Sequence, residues 1–327
     1  MKKDYHDMSW LQENAWGKYG LDDEVGALNQ ITNPETVIHA LSLVKEGQVY
    51  DLETERFKGM NMWQGHCGFE MVTYATPSGR QRMQSANINN AYSFYAPGGI
   101  FDSDSNAPQY NMGLNTEMLI SPLHIGTHID SLCHFSAGED NHIYNGFPEK
   151  AYGHDFGSMR CGAETIPPII TRGILLDIAS YKGKEQMPDD YIISAEDCEG
   201  CADWENITLR PGDAVFMRLG AKWPDAMCGT AGVGISAARY LVEECGAVVI
   251  GDDNGDIDGH DKDGHSSVPH HPNPVHHYLL IQQGVHIMEY VTLNALAKDQ
   301  KYEFCFICLP AKIRGATAMF TRPIALT

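Results

Sequence analysis

The second half of the chain alternates between short apolar runs and stretches with the spacing of an amphipathic helix. Apolar runs of about four to eight residues between turn residues are typical of buried strands. We therefore predict strands at about 173–178, 214–219, 247–250, 285–290, 302–309 and 316–325. The helices between them have recognisable starts. These are Ser194 and Ser236 as N-caps, and Pro272 or Pro274 at the first position of a helix that ends near Gln283.

The first half is richer in strands and loops. Asn33 followed by proline predicts a helix start, and Gly47 predicts its end after about Glu46. Strands are predicted at about 48–53, 69–74 and 116–120. Residues 77–113 are rich in Ser, Asn, Gly and Pro, which predicts a loop-rich insertion that either faces the substrate or is an ordinary surface excursion. No shift in composition separates two domains, so we expect residues 1–327 to form a single mixed α/β domain rather than a regular doubly wound sheet.

Three histidines and an aspartate fall within the segment from His124 to His134, which reads HIGTHIDSLCH. Neutral imidazole and carboxylate are ligands that Zn²⁺, Mn²⁺ and Fe²⁺ accept. Gly126 disfavours a continuous helix and lets the backbone bend, so that His124 can join the later ligands on one ion. His128 and Asp130 are two apart, and an extended backbone places them on one face. His134 lies just beyond them, within reach of a metal-bound water.

This segment resembles the signature H-x-G-T-H-x-D-x-x-x-H of the metal-dependent hydrolases called the cyclase family, which includes bacterial kynurenine formamidases and isatin hydrolases. Further similar segments lie at 16–17, 23–29, 172–177, 274–276, 284–289 and 315–323, so the resemblance covers most of the chain. Leu132 stands where the family usually has proline, a change that removes no ligand. The resemblance implies the family's single mixed-sheet domain of the swivelling β/β/α type. It also implies two divalent ions per chain, either Mn²⁺ or Zn²⁺.

A second ion needs ligands from outside the first cluster. A histidine at a helix start, either His276 or His277, and Glu289 on the following strand could meet at one sheet edge. The resemblance implies that one histidine and one glutamate from this region bind the second metal, and the Pro-Val-His context favours His276. Asp130 would then bridge the two ions, since a carboxylate has two oxygens.

His134 is the predicted general base. A metal lowers the pKa of its bound water from about 15.7 towards neutrality, and an imidazole with a pKa near about 6.5 suits the acceptance of that proton. The resemblance implies a substrate with an amide, lactam or ester carbonyl in a small cyclic or aromatic compound. Trp63, Phe69 and Tyr95 are candidate walls of the substrate pocket.

Two other classes of function remain open. His128, Asp130 and a distant histidine also match the two-His-one-carboxylate triad of mononuclear iron oxygenases. Against this, His124 and His134 would be surplus, and the alternating second half differs from the all-β barrel usual for that chemistry. A non-catalytic metal-binding homologue would use the same ligands without turnover.

Residues 251–271 hold a second concentration of aspartates and histidines. A calcium loop starting at Asn254 would need a bidentate glutamate at its twelfth position, where the chain has His265. We therefore expect a solvated acidic loop near the pocket mouth, from which Asp252 or Asp253 could still reach the site.

The formal net charge of −20 makes nucleic acid and anionic membrane surfaces unsuitable partners. The sequence contains no apolar run of transmembrane length and no apolar stretch behind its basic N-terminal residues, so neither a membrane span nor a secretory signal is predicted. A small-molecule substrate is the expected partner. We expect the protein itself to be a homo-oligomer, either a dimer or a tetramer.

The nine cysteines follow no regular framework, which fits a reducing cytoplasm. Two C-x-x-C pairs are interpreted as buried apolar residues rather than as a zinc site. They are Cys198 with Cys201 and Cys305 with Cys308.

Overall fold

This computed structural model describes residues 3–75, 115–224 and 229–327. The chain forms two compact units. The larger comprises Met1–Arg56, Asn61–Gln64 and Leu123–Thr327, and the smaller comprises Phe57–Met60 and Gly65–Pro122. The predicted insertion at about 77–113 lies outside the described residues, and the expectation of a single domain that carries it stays a prediction.

Nine of the described strands form one mixed sheet in the larger unit. In chain order, the strands of the described residues are β1 (Val49–Asp51), β2 (Glu70–Ala75), β3 (Thr116–Ile120), β4 (His128–Asp130), β5 (Ile169–Leu176), β6 (Ile192–Ile193), β7 (Ala214–Met217), β8 (Gly232–Val233), β9 (Val249–Asp252), β10 (His286–Glu289), β11 (Glu303–Cys308), β12 (Ala318–Phe320) and β13 (Ile324–Leu326). The order across the large sheet is β1-β13-β11-β5-β7-β9-β10-β4-β12. Its central strands β5, β7, β9 and β10 are parallel, and its other neighbouring pairs are antiparallel. The predicted mixed α/β fold is confirmed.

The parallel centre of the sheet is buried, as its nearly continuous apolar sequences predict. Every residue of β7 and of β9 is buried. Phe216 on β7 is in register with Leu175 on β5 and Gly251 on β9, and its ring centroid lies 4.8 Å from that of Phe306. This packed centre holds β10, which pairs with β4 on its outer side.

The helices pack around this sheet in the larger unit. In the described residues the α-helices are α1 (Pro34–Ser42), α2 (Glu149–Tyr152), α3 (Ile178–Tyr181), α4 (Ala195–Glu205), α5 (Ile235–Arg239), α6 (Pro274–His276) and α7 (Asn294–Lys298). Short 3₁₀ helices lie at Ser9–Gln12, Gly26–Ile31, Tyr144–Gly146 and Ala163–Thr165. α5 and α6 continue directly as π-helical turns over Tyr240–Glu244 and His277–Gln283. None of the helices described here combines the length and the apolar character needed to cross a membrane.

The helix starts follow the predicted capping residues with one exception. Asn33 caps α1, Ser194 caps α4, and Pro274 opens α6. The prediction for Ser236 is wrong, because Gly234 is the N-cap of α5. The Ser236 hydroxyl is buried and instead accepts a hydrogen bond from the first backbone amide of α4, at 3.3 Å.

Two predicted elements differ in extent from the observed ones. α1 ends at Ser42 rather than near Glu46, because the Glu46 and Gly47 amides donate to the Thr327 carbonyl instead of continuing the helix. The segment 316–325 forms two strands rather than one. β12 pairs with β4 at one edge of the sheet, while β13 lies between β1 and β11 near the other edge. Proline at 323 has no N–H for a strand ladder, which fits a break at this point.

β2 and β3 form a two-stranded antiparallel sheet in the smaller unit, so both predicted strands are confirmed. Val72 pairs with Met118, and both side chains are exposed. His128 and Asp130 lie further along the chain, on a separate strand of the larger unit, β4.

The cysteines of the two C-x-x-C pairs are buried, as predicted. One pair lies on α4 and the other on β11. In the part of the chain that the structure describes, no cysteine belongs to a group of side chains that could hold a metal.

Candidate metal centre

Gly126 shapes the turn that precedes β4. Its φ of +56° is in the left-handed region, and a Cβ at this position would lie 2.7 Å from Thr54 Oγ1. The buried Thr127 donates from its amide to Thr54 Oγ1 at 2.7 Å and from its hydroxyl to the Tyr290 carbonyl at 2.6 Å. These contacts fix the backbone between His124 and β4.

Arg56 binds the same turn through two backbone carbonyls. Its Nε donates to the Ile125 carbonyl at 2.9 Å, and its Nη2 donates to the Thr127 carbonyl. The guanidinium also lies over the ring of Phe320 on β12, 4.8 Å from the centroid, and forms an ion pair with Glu53. The sequence analysis missed this residue, because nothing near position 56 distinguishes it from a surface arginine.

His124, His128 and Asp130 form a first group of possible metal ligands. His124 Nδ1 lies 2.9 Å from Asp130 Oδ1, and His128 Nε2 lies 3.5 Å from the same oxygen. One ligand atom from each residue lies within 4.8 Å of the other two. The remaining ring nitrogens are engaged elsewhere, since His128 Nδ1 is 2.8 Å from the Gly126 carbonyl and His124 Nε2 is 2.9 Å from Thr317 Oγ1. Each ring therefore presents a defined nitrogen to Asp130.

Asp130 is shared with a second group. Its Oδ2 lies 3.7 Å from His276 Nε2, and Glu289 Oε1 lies 3.6 Å from that nitrogen. Glu289 also reaches the first group, because its Oε2 is 3.4 Å from His128 Nε2. Ligand atoms of Asp130, His134 and His276 lie within 4.8 Å of one another as well. The structure thus brings the predicted ligands and the predicted base into one cluster.

The pairing of β4 with β10 explains this convergence. His128 lies directly opposite Glu289 in the ladder, so their side chains lie on the same face of the sheet. Asp130 is two residues further along β4 and points to that face too. His276 reaches the same place from the first turn of α6.

The donor set fits a divalent cation. Asp130 is 0% exposed, and neither of its oxygens accepts a hydrogen bond of ordinary geometry from the described residues, although His124 Nδ1 is close to one of them. His128 Nε2 is likewise buried without a hydrogen bond in the described part of the chain. Buried polar atoms in this state are costly unless something else satisfies them. Imidazole and carboxylate are ligands of Zn²⁺ and Mn²⁺, and such an ion would satisfy these atoms.

Burial and mutual charge shift the acid–base behaviour of the cluster. Burial lowers the pKa of His134 to about 3, with Asp130 opposing the shift and His124 and His276 reinforcing it. Burial raises the pKa of Glu289 well above its ordinary value, and the charge of Asp130 adds to this effect. Burial acts against ionisation of Asp130 as well, but the surrounding histidines outweigh it and lower the Asp130 pKa. Among these three groups, the cluster therefore combines the ionised carboxylate of Asp130 with the neutral imidazole of His134.

His276, rather than His277, faces the cluster. His276 Nδ1 lies 2.7 Å from Asp258 Oδ2, which leaves Nε2 directed at the cluster carboxylates. His277 Nδ1 instead lies 2.9 Å from His271 Nε2. The sequence left the choice between the two histidines open, and these contacts favour His276.

The prediction of a solvated acidic loop at 251–271 is wrong for its first half. Three of its carboxylates are buried, those of Asp252, Asp253 and Asp258. Asp253 does not point at the cluster, because its carboxylate accepts hydrogen bonds from the backbone amides of residues 219–221, at 2.7, 2.9 and 3.0 Å. Backbone amides thus provide the partners that water provides for an exposed aspartate.

Aromatic side chains other than the three predicted pocket residues lie near the cluster. The Phe135 and His276 rings stack with centroids 4.4 Å apart and planes at 29°. The Tyr290 ring lies 6.2 Å from that of His128, and Trp223 meets Tyr290 edge-on at 5.3 Å. Phe135 directly follows the motif that ends at His134, so its position in the sequence could have identified it as an aromatic residue near the cluster.

The three predicted pocket residues are placed as follows. Trp63 is 68% exposed, and Phe69 is buried and belongs to the smaller unit. Tyr95 lies outside the described residues. Their contact with a substrate stays a prediction.

Comparisons with known proteins identify similar chains. A family model described as "Putative cyclase" matches residues 50–259. A crystal structure of a protein described as a novel cyclase is 28% identical, with a TM-score of 0.77 over 97% of this chain and 99% of that chain. Isatin hydrolase A from Labrenzia aggregata, bound to benzyl benzoate, is 17% identical, with a TM-score of 0.55 over 85% of this chain and 93% of that chain. Isatin hydrolase A from Ralstonia solanacearum is 15% identical, with a TM-score of 0.56 over 90% and 98%. No curated protein matches the chain significantly.

Proposed function

Because this chain belongs to the Cyclase family, we propose that it is a metal-dependent hydrolase that opens an amide, lactam or ester bond of a small cyclic or aromatic compound. The observation that carries the proposal is the sharing of Asp130 between two groups of ligand atoms. Its Oδ1 faces His124 and His128, while its Oδ2 faces His276. The likeness to isatin hydrolases supports the inclusion of cyclic amides among the substrates.

Two divalent ions, Mn²⁺ or Zn²⁺, are proposed to bind the cluster. His124, His128 and Asp130 would hold one ion. Asp130, His276 and Glu289 would hold the other. A divalent ion supplies a bound water of near-neutral pKa and polarises the substrate carbonyl. The buried, unsatisfied atoms of His128 and Asp130 support this assignment.

His134 is proposed to accept the proton released when water attacks the carbonyl carbon. Its ring centroid lies 4.0 Å from that of His124 and 5.8 Å from that of His276, so it adjoins both ligand groups. Burial lowers the pKa of His134 and keeps the imidazole neutral, so the ring has the lone pair that a base needs. The same shift makes it a weaker base than an imidazole with a pKa near about 6.5. The protonated ring can then return the proton to the leaving nitrogen or oxygen, and the charge of Asp130 stabilises it meanwhile.

Metal content and turnover together test the proposal. Protein purified without chelator would be analysed for Mn, Zn and Fe and then assayed on formanilides, isatins and small lactones, with and without added metal. We expect two Mn or Zn ions per chain and an open-chain carboxylate product without oxygen consumption. A single iron with oxygen-dependent turnover would contradict the proposal and indicate an oxygenase.

Asp130→Asn tests the shared carboxylate directly. An amide has one acceptor oxygen and no charge, so it cannot serve both ligand groups. We expect metal and turnover to be lost together in a variant that circular dichroism shows to be folded. Asp140→Asn is the matched control, since the Asp140 side chain is 58% exposed and contacts His142. Equal losses in both variants would show that the effect is not specific to the cluster.

A further inference from the structure

Asp258 holds the start of α6 and the side chain of His276 together. Its carboxylate is buried, with the residue 1% exposed. Oδ1 accepts from the Val275 amide at 2.7 Å. Oδ2 accepts from the His276 amide at 3.1 Å and lies 2.7 Å from His276 Nδ1. One carboxylate therefore fixes both the backbone and the ring of His276.

This contact decides which nitrogen of His276 carries a proton. An ionised carboxylate accepts hydrogen bonds but donates none, so Nδ1 must be the donor. Nε2 is then the nitrogen that offers a lone pair to a metal once its own proton is displaced, and it is the nitrogen that faces Asp130 and Glu289. The stacked ring of Phe135 restricts the rotation of the imidazole.

The segment that carries Asp258 also supports Glu289. The Ile257 amide donates to Glu289 Oε1 at 2.9 Å. Backbone hydrogen bonds tie this segment to β8, because the Val233 amide donates to the Ile257 carbonyl at 2.6 Å and the Gly259 amide donates to the Val233 carbonyl at 3.0 Å. A side chain that orients a binding site is held in a more precise position by such a support than by a free loop.

Asp258 is better placed to orient a ligand than to be one. Asp256, Asp258 and His276 do present ligand atoms within 4.8 Å of one another. However, both oxygens of Asp258 and Nδ1 of His276 are already engaged in the hydrogen bonds described above. A carboxylate that accepts from the far nitrogen of a histidine is the usual way in which a protein orients that histidine towards a metal.

We infer that Asp258 is a positioning residue that sets the proton and the direction of His276, and so makes the second ligand group competent to bind a divalent cation. The inference rests on the proposed function for the metal. The placement of the proton on Nδ1, in contrast, is a property of the metal-free protein and can be measured there.

The test variant is Asp258→Ala. Without Asp258, the carboxylates within 4 Å of the ring are those of Asp130 and Glu289, which face Nε2, so a proton on Nε2 should be favoured over one on Nδ1. Asp261→Ala is the matched control, since the Asp261 side chain is 43% exposed and accepts from backbone amides of its own loop.

Two measurements separate positioning from a general structural role. ¹⁵N-histidine NMR on the metal-free proteins, with the His276 signals assigned from His276→Gln, reports the proton on Nδ1. Calorimetric titration with Mn²⁺ reports affinity. We expect Nδ1 to be protonated in the wild type and in Asp261→Ala but not in Asp258→Ala, where one Mn²⁺ site should weaken by roughly 10- to 100-fold.

Three results would overturn the inference: an unprotonated Nδ1 in the wild type, a protonated Nδ1 in Asp258→Ala, or an unchanged Mn²⁺ affinity in that variant. If Asp258→Ala does not fold, the wild-type spectrum alone tests the inference, because it shows whether His276 Nδ1 carries a proton. If the folded wild type binds no Mn²⁺, the proposed function fails, while the metal-free spectra still decide whether Asp258 controls His276.

Discussion

An alanine at position 126 would strain the turn that places His124 and His128. The backbone would have to keep a φ of +56°, which costs an L-residue roughly 1–2 kcal/mol. The new methyl group would also lie 2.7 Å from Thr54 Oγ1 and 3.2 Å from Arg56 Cγ, and forced overpacking costs about 1–3 kcal/mol. Together these effects predict a loss of about 2–5 kcal/mol in the free energy of unfolding.

Gly47→Ala separates the two contributions. Gly47 has a φ of +69°, but nothing lies within 4 Å of the position that its Cβ would take. This control should therefore lose only the conformational part, about 1–2 kcal/mol. Urea unfolding of the metal-free proteins would measure both variants. The difference between them, about 1–3 kcal/mol, is the effect of the crowding around Gly126.

Equal losses in the two variants would refute the argument that close packing at Gly126 fixes the turn. The ligand side chains provide a second readout. Because the Gly126 carbonyl is 2.8 Å from His128 Nδ1, a shifted backbone should also weaken metal binding in Gly126→Ala but not in Gly47→Ala. Wild-type metal affinity in Gly126→Ala would show that ligand placement does not depend on this turn.

Removal of metal by a chelator should lower the thermal unfolding midpoint and abolish hydrolysis, because a ligand that binds the native state stabilises it; added Mn²⁺ or Zn²⁺ should restore both, and an unchanged midpoint would count against a metal here. His134→Ala should retain its metal by elemental analysis but lose most of its turnover, whereas loss of the metal would make His134 a ligand. Glu205→Gln should be more stable than the wild type above about pH 4.5, because burial raises the pKa of Glu205 from its ordinary 4.5 to about 8. The folded state therefore favours the protonated acid, and the wild type loses this stability as the pH rises through that window. Urea unfolding at several pH values should show a growing advantage for Glu205→Gln, and a constant difference would contradict the effect of burial.

Features encoded by neighbouring residues could be predicted from the sequence. The apolar run of β7 indicates a buried strand without any knowledge of its partners, and every residue in it is buried. Ser194 forms a capping box with Asp197, three residues later, at the start of α4. His124, His128 and Asp130 are close in sequence, so one turn at Gly126 is enough to gather them.

Features that depend on distant partners could not be predicted. Asp258 and Asp261 look alike in the sequence, yet the first is buried and the second is partly exposed. The difference arises because the amides of α6 reach only Asp258 of these two. The role of Arg56 could not be predicted from the sequence either, since its partners at Ile125 and Thr127 lie far along the chain.

The position of β4 between β10 and β12 has a consequence for the newly made chain. Synthesis proceeds from the N-terminus, so His124, His128 and Asp130 leave the ribosome well before the strands that enclose them. Until β10 supplies Glu289 and β12 covers the other edge of β4, these proposed ligands lack the strands that flank them in the folded sheet. If these residues bind metal as proposed, stable metal capture would be a late event in biosynthesis, and a chain stalled before β12 would offer the same imidazoles and carboxylate to any metal in its surroundings.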